Sequence, residues 1–502
     1  MNPKELYDAY YAKKEQFHAY IDRIKQSAPI DFYTIVNPAL VKNPYISQFP
    51  KDFFTQTIRH QSRVGIFFKS MITFYGKNSY LLISYGIAFI LFKLFYRKKR
   101  ENKHLETIID IFLLVDKINA NGILQENYFG YLYGYFEKYN RPYTLLPRLY
   151  QIGKNPFKLI SFFKIINHDK RHFLFEFEVL RWKDFIAMFI ILLCYPWKTL
   201  RLYQTEKRLE DRLFNQSLLS EISAFNFQSL TRYVLGKNLA TLKDVKRIYS
   251  WSEFQVVERS FNYAIRRNNE MIRLIACQFY LNYETYFNAY IDDLDDTLKT
   301  SPHEVLVNGN YYLLQRKNIK YSVGVSLRYQ KVFDFKGVVR AREILLLGSY
   351  IEEETKYMLQ SVEQFGNVLF KNHPAVPIAR LGVMPSCVHV VSEDIYTLFE
   401  HAKVVIGSAS GSLVEAIACG VSVVILASKD NLTANPLVAY GQGKIWDVAF
   451  SKEEVFEVYD KLIQYRNENN EEIKKIALWY KENFFVEPSE ENIVSVFGLK
   501  KE

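Results

Sequence analysis

Cysteine is scarce in this sequence: Cys194, Cys277, Cys387 and Cys419 are four residues in 502. None stands at C-x-x-C spacing and each lies among apolar neighbours, so neither a disulfide-held secreted fold nor a zinc site is expected. The four read as reduced core thiols of a cytoplasmic protein. No uninterrupted apolar run reaches the roughly 20 residues that a membrane-spanning helix needs. The opening MNPKELYDAYYAKKEQ is polar and helix-like, not a signal peptide. Internal repeats and low-complexity segments are missing, so a solenoid is not expected. The formal charge is +11, yet no nucleic-acid motif accompanies it and aromatics do not alternate with Lys and Arg, which argues against nucleic acid as partner. Metal-binding acid pairs are also lacking. Asp292-Asp293 and Asp295-Asp296 sit on a polar, helix-compatible stretch and read as a solvated face.

What is present points to a large folded α/β protein. Hydrophobic residues are 49% of the chain, enough for two or three domains. Aromatics reach 16%, with 37 Tyr and 39 Phe; this suits membrane interfaces or sugar stacking, and also follows from AT-rich coding DNA. The basic balance favours an anionic membrane surface. Tyr80–Tyr96 and Phe185–Trp197 are the two most apolar segments, 17 and 13 residues long, each with basic and aromatic residues at one end. Both are short for spanning and fit shallow insertion at the cytoplasmic face; burial in the core is the alternative. Arg201–Ser217 reads as a charged surface helix.

The richest stretch is 404–426, VVIGSASGSLVEAIACGVSVVIL. It predicts a strand, a turn of small residues (Gly407, Ser408, Ala409, Ser410, Gly411, Ser412), a helix ending at Gly420, and a second strand. Such a turn lets backbone N–H groups approach a phosphate, and Ser410 or Ser412 can cap the helix or donate a hydroxyl. About 35 residues earlier, Lys371-Asn372-His373-Pro374 closes another predicted strand; Pro374 forces the chain to turn and holds His373 at the strand end. Strands and helices alternate through most of the chain, over Ile108–Val115, Tyr128–Lys138, Tyr143–Leu149, Arg247–Trp251, Phe254–Arg267, Ile272–Gln278, Val305–Asn308, Glu343–Leu347, Ile351–Phe365, Asn367–Lys371, Val388–Val391 and Ile395–His401. The expected fold is α/β, two Rossmann-like domains facing across a cleft, with N-terminal helical and membrane-associating insertions. The expected divisions are 1–107 (helical, membrane-proximal), 108–320 (acceptor domain, with an apolar insertion near 185–217), 321–480 (nucleotide domain) and 481–502 (tail).

With these residues in view, the chain resembles glycosyltransferases of the GT-B architecture, most of all bacterial surface-carbohydrate biosynthesis proteins. The likeness rests on the Lys-Asn-His-Pro strand end, Ser392-Glu393-Asp394-Ile395, GSASGSLVEAIACGVSVV, Asn435-Pro436-Leu437, Trp251-Ser252-Glu253-Phe254-Gln255 and Leu327-Arg328-Tyr329, and covers roughly residues 245–440. It implies a nucleotide-sugar donor, a CMP-sugar first, with His373 at the phosphate or ribose and Ser408, Ser410 and Ser412 at the phosphate. It implies no cofactor and no metal, a lipid-linked acceptor, and polyol-phosphate transfer from a CDP-polyol as the rival reaction; a non-catalytic assembly partner is a further alternative. Retaining members carry two glutamates eight residues apart. Here Glu415 has Gly407 in the other position, which favours inversion. An inverting reaction needs a base; the candidates are Glu253, beside Trp251 as a possible sugar platform, and Asp116. Arg266, Arg267 and Arg328 are candidate clamps for a donor carboxylate or phosphate.

Overall fold

The computed structural model describes residues 1–500 apart from 45, 59–61, 97–103, 115–116, 127, 150–154, 167 and 339–341. Two six-stranded sheets organise it. The first contains β1 (Thr107–Leu113), β2 (Thr144–Leu149), β3 (Arg247–Trp251), β4 (Arg273–Gln278), β5 (Glu304–Val307) and β6 (Lys320–Val323), in the order β2-β1-β3-β4-β5-β6. The second contains β7 (Glu343–Leu347), β8 (Val368–Lys371), β9 (Val388–Val390), β10 (Ala402–Gly407), β11 (Ser422–Leu426) and β12 (Trp446–Ala449), in the order β12-β11-β10-β7-β8-β9. Neighbouring strands are parallel throughout. Helices therefore cover both faces, which explains why a strand such as β11, Ser-Val-Val-Ile-Leu, is buried at every position. The expected two-Rossmann α/β fold is what the strand orders show. In each sheet the order reverses once, between β1 and β3 and between β7 and β10. Open α/β sheets hold ligands in the crevice outside the carboxyl ends of the strands at that reversal.

Several elements differ from their sequence reading. The Arg201–Ser217 segment is not a surface helix. Its helix runs Leu209–Ser220, and Leu213, Phe214 and Leu218 are buried against Phe17, Phe49 and Phe53. The acidic stretch is not wholly solvated either. Asp295 is buried and holds both Lys25, at 3.1 Å, and Arg259. Lys25 lies on the Pro3–Ser27 helix, which starts with reciprocal Asn2 and Glu5 caps and packs Phe17, Ile21 and Ile24 inward. The same helix reaches the second sheet's side, where Tyr7 meets Phe450 with ring centroids 5.4 Å apart. The first sheet extends past residue 320 through β6. Residues Glu490–Phe497 form a helix that seats Ile493, Val494 and Phe497 in the first domain's core.

The two apolar segments belong to longer helices, Arg63–Phe95 and Trp182–Thr199. Both are long and apolar enough to cross a membrane, so shortness does not set their role. Their packing does. They lie antiparallel, Phe67 against Trp197 and Phe89 against Phe185. Phe74, Ala88, Phe89, Phe92, Met188, Leu192 and Tyr195 join the core that contains Ile109 and Ile111 of β1. The opposite face, including Ile72, Ile83, Ile186, Phe189, Ile190 and Leu193, is exposed. Neither alternative from the sequence holds alone: one face of each helix is core and the other is bare.

Candidate functional site

The reversals of strand order place particular loops together. β3 ends at Trp251, and Glu253 lies in the loop that follows; β10 ends at Gly407, and the small-residue turn follows it. Both loops contain a non-glycine residue in the left-handed region, Phe254 (φ 53°) and Ala409 (φ 47°). Such backbone costs of order 1–3 kcal/mol and survives only where surrounding contacts impose it. Phe254 is fully buried and its carbonyl accepts from Arg259 Nε at 2.9 Å; Ala409 N donates to Ala434 O at 3.1 Å.

Glu253 is half-buried. Its Oε2 accepts from Tyr286 Oη at 3.2 Å and Gln255 Nε2 at 3.4 Å, while among the described residues Oε1 has no partner. The loop is braced from beneath: Glu258 accepts from Gln255 N at 3.0 Å and takes an ion pair from Arg148, which also reaches Ser250, the Trp251 carbonyl and Asp110. Arg232 completes this buried cluster on Asp110 at 2.6 Å.

A line of rings connects Glu253 to the other domain. Tyr286 packs on Tyr283 at 5.6 Å, Tyr283 Oη lies 3.2 Å from Tyr350 Oη, and Tyr350 meets the His373 ring at 6.1 Å. His373 Nδ1 accepts from Ala375 N at 3.1 Å, so the neutral ring carries its proton on Nε2. Burial lowers its pKa, which favours that neutral form. Pro374 is exposed beside it.

Arg328 forms the second connection. Its guanidinium stands over Tyr128, Trp251 and Tyr329 at 5.3, 5.5 and 5.9 Å, is exposed, and among the described residues has no hydrogen bond or ion pair. It faces the carboxylates of both Glu415 and Glu253. Glu415 is buried in the helix Ser412–Ala418, where burial raises its pKa; Tyr396 Oη donates to it. A cation without a partner, flanked by rings and set between two domains, suits a phosphate or carboxylate.

Other candidates take different roles. Trp251 is fully buried under Tyr128, Phe129 and Tyr280 and offers no platform for a sugar. Ser408 is turned inward and, with Ser349 and Ser428, faces the buried Glu354 carboxyl, whose pKa burial raises. Gly407 is packed closely, since a Cβ there would come within 2.9 Å of Leu413 Cδ2 and make that side chain shift; Gly411 likewise approaches Leu281 of the first domain, 3.0 Å from Cβ to Cβ. Ser412 faces Glu415, and Ser410 Oγ accepts from Ser412 N at 3.3 Å. Arg266 is consumed by Glu270 and Asp296, each at 2.7 Å. Arg266 and Arg267 close the helix that leaves the end of β3, and so lie at the far end of the sheet from the site. Asp116 lies outside the described residues. Among those residues no three His, Cys, Asp or Glu side chains gather as a metal-binding group. The sequence reading missed Tyr283, Tyr286 and Tyr350. The tyrosine spacing of Tyr280, Tyr283, Tyr286 and Tyr290 after β4 was the available signal.

No family model matches the chain and no curated protein does. Solved structures that it resembles include a UDP-N-acetylglucosamine 2-epimerase (14% identity, TM-score 0.41, covering 80% of this chain and 98% of that one). CalG4, the calicheamicin glycosyltransferase, is 10% identical (TM-score 0.37, 76% and 95%). A variant of the wall teichoic acid polymerase TagF is 11% identical (TM-score 0.40, 82% and 92%). Likeness at this level carries no argument about activity, and the fold rests on the strand orders themselves.

Proposed function

We propose that the chain is a membrane-associated glycosyltransferase that moves a sugar from a nucleotide donor, a CMP-sugar in first place, to a lipid-linked surface-glycan acceptor. The observation that carries this reading is the juxtaposition, where both sheets reverse, of an unpaired Arg328, a neutral His373 and a Glu253 carboxylate with one open oxygen. In this reading Arg328 and the Nε2–H of His373 bind the donor's phosphate, with Arg328 also able to take a sugar carboxylate in a two-point contact. Glu253 Oε1 accepts the acceptor hydroxyl proton as the new glycosidic bond forms and the donor C–O bond breaks, and the nucleotide leaves with the electron pair. Phosphate charge is carried by protein groups, which suits metal-independent inversion. The acceptor arrives from the cytoplasmic face of a bacterial inner membrane, held by the bare apolar faces of Arg63–Phe95 and Trp182–Thr199.

The test begins with binding of CMP, CDP, UDP and GDP by thermal shift, then release of CMP from CMP-sugars against CDP-glycerol. Glu253→Gln should lower the transfer rate by about 10²–10⁴ while nucleotide affinity stays within a few-fold. Transfer at the parent rate removes Glu253 from the chemistry. A rate on CDP-glycerol alone replaces sugar transfer with polyol-phosphate transfer. No shift with any nucleotide rejects the enzyme reading.

A further inference from the structure

A cavity of about 540 Å³ opens at the opposite end of the first sheet from the candidate site. His104 stands three residues before β1. Arg141 and His172 flank the start of β2, where Thr144 Oγ1 donates to His104 O and Leu145 N to His172 O, both at 2.8 Å. Lys170 and Arg171 complete a wall of basic and imidazole groups; Glu137 is the acid among the lining residues. Arg171 is bound to Asp169, and Arg141 is spent on the carbonyls of Leu499 and Lys500. The Lys170 ammonium, by contrast, has no hydrogen bond or ion pair among the described residues. The sugar-transfer reading gives this cavity no task.

Its location gives it one. The wall runs directly from His172 to Phe175, which lies 5.6 Å from the Tyr96 ring and 6.2 Å from Phe92, at the carboxyl end of the long apolar helix. Phe163, on the helix Pro156–Ile166 that leads into the wall from its other side, packs on Phe92 at 5.0 Å. That helix adds Phe157 and Ile165 to the exposed apolar residues. The cavity thus lies near the carboxyl end of the long apolar helix, reached through the buried rings of Phe92, Phe163 and Phe175, and Leu94 and Phe95 at that end are exposed. In sequence, Arg97-Lys98-Lys99-Arg100 follow at once.

We infer that this cavity receives the phosphate of an anionic phospholipid headgroup, with Lys170 and His104 as the binding groups. The inference rests on the membrane reading, and the experiment separates the two. Full-length protein is sedimented with vesicles of phosphatidylcholine alone and of phosphatidylcholine with phosphatidylglycerol, as wild type, Lys170→Glu, His104→Ala, and Lys158→Glu as a control for general surface charge. Wild type should bind the anionic vesicles more tightly. Lys170→Glu should lose about fivefold or more of that gain, beyond the loss in Lys158→Glu, with binding to neutral vesicles unchanged. Equal losses in both lysine variants reduce the effect to diffuse attraction and overturn the site. If wild type binds no vesicle, the membrane reading falls, and sn-glycerol 3-phosphate measured by calorimetry decides the cavity: Lys170-dependent binding assigns it to a soluble phosphate ester, and no binding removes it.

Discussion

Arg328 and Glu176 show how much the surroundings of a charged side chain decide. Arg328 keeps its charge at the cleft with rings about it and no carboxylate in contact. Arg328→Ala should weaken nucleotide-donor binding by about 10- to 100-fold, the worth of a hydrogen bond to a charged group. Arg328→Lys should recover only part, because an ammonium cannot reproduce the planar fork. Isothermal titration with the nucleotide that gives the largest thermal shift measures both, and an unchanged affinity in Arg328→Ala assigns the residue to packing on Tyr128. Glu176 is the opposite case. Burial pushes its pKa up to about 7, with the Tyr85 hydroxyl facing it, and Glu221 is raised to about 7 in the same way. The folded state therefore prefers both acids protonated. Their contribution is complete below the ordinary carboxylate range and is lost as pH rises from 4.5 through about 7, about 3 kcal/mol for each. Glu176→Gln keeps the shape of the side chain and cannot ionise, so its Tm should fall less steeply across that interval than the parent's. An identical slope would show that Glu176 does not titrate there.

Strands and helices were unequally legible. Parallel strands buried on both faces are continuous β-branched runs, and Arg247–Trp251 and Glu343–Leu347 match their sequence reading residue for residue. The long helix was half visible, because its first part, Arg-Val-Gly-Ile-Phe-Phe-Lys, mixes polar with apolar residues at a period that only a partner surface explains. The turn of small residues at 407–412 was legible as a turn. That Ser408 faces inward was not, since the Glu354 it faces stands on another helix. Asp295 was misread for the same reason: a run of four acids looks solvated until Lys25, 270 residues away, is placed beside it. Surface and core now separate on the helix Trp182–Thr199. Replacing Ile186, Phe189, Ile190 and Leu193 with Ser should move protein from the membrane pellet to the soluble fraction with Tm nearly unchanged, because those side chains are exposed. Leu192→Ala, on the buried face, should cost about 2–5 kcal/mol and leave the partition alone. Retention of the quadruple variant in the pellet would reject this face as the anchor.

At the scale of the whole molecule, the candidate site is assembled from residues of both domains. Gly411 and Leu281 approach closely there, and a methyl group at 411 would press on Leu281 Cβ at 3.0 Å. Gly411→Ala should lower nucleotide affinity several-fold by holding the domains apart, and Leu281→Gly in the same chain, which removes the Cβ that the new methyl meets, should restore part of it, the non-additivity expected of touching residues. Additive losses would place the effect within the turn itself. The chain also passes between the domains twice, once after β6 and again after Phe484, and the two passages are joined: Ser326 N donates to Val486 O at 2.9 Å and Val486 N to Ser326 Oγ at 2.8 Å. Asn308 Nδ2 donates to Phe484 O nearby at 2.8 Å. A single tether would let one half swivel freely against the other. Two tethers clamped together define a line instead, as two pins do for a door. Relative motion of the two halves is thereby guided about that line, with Glu253 and His373 on opposite leaves.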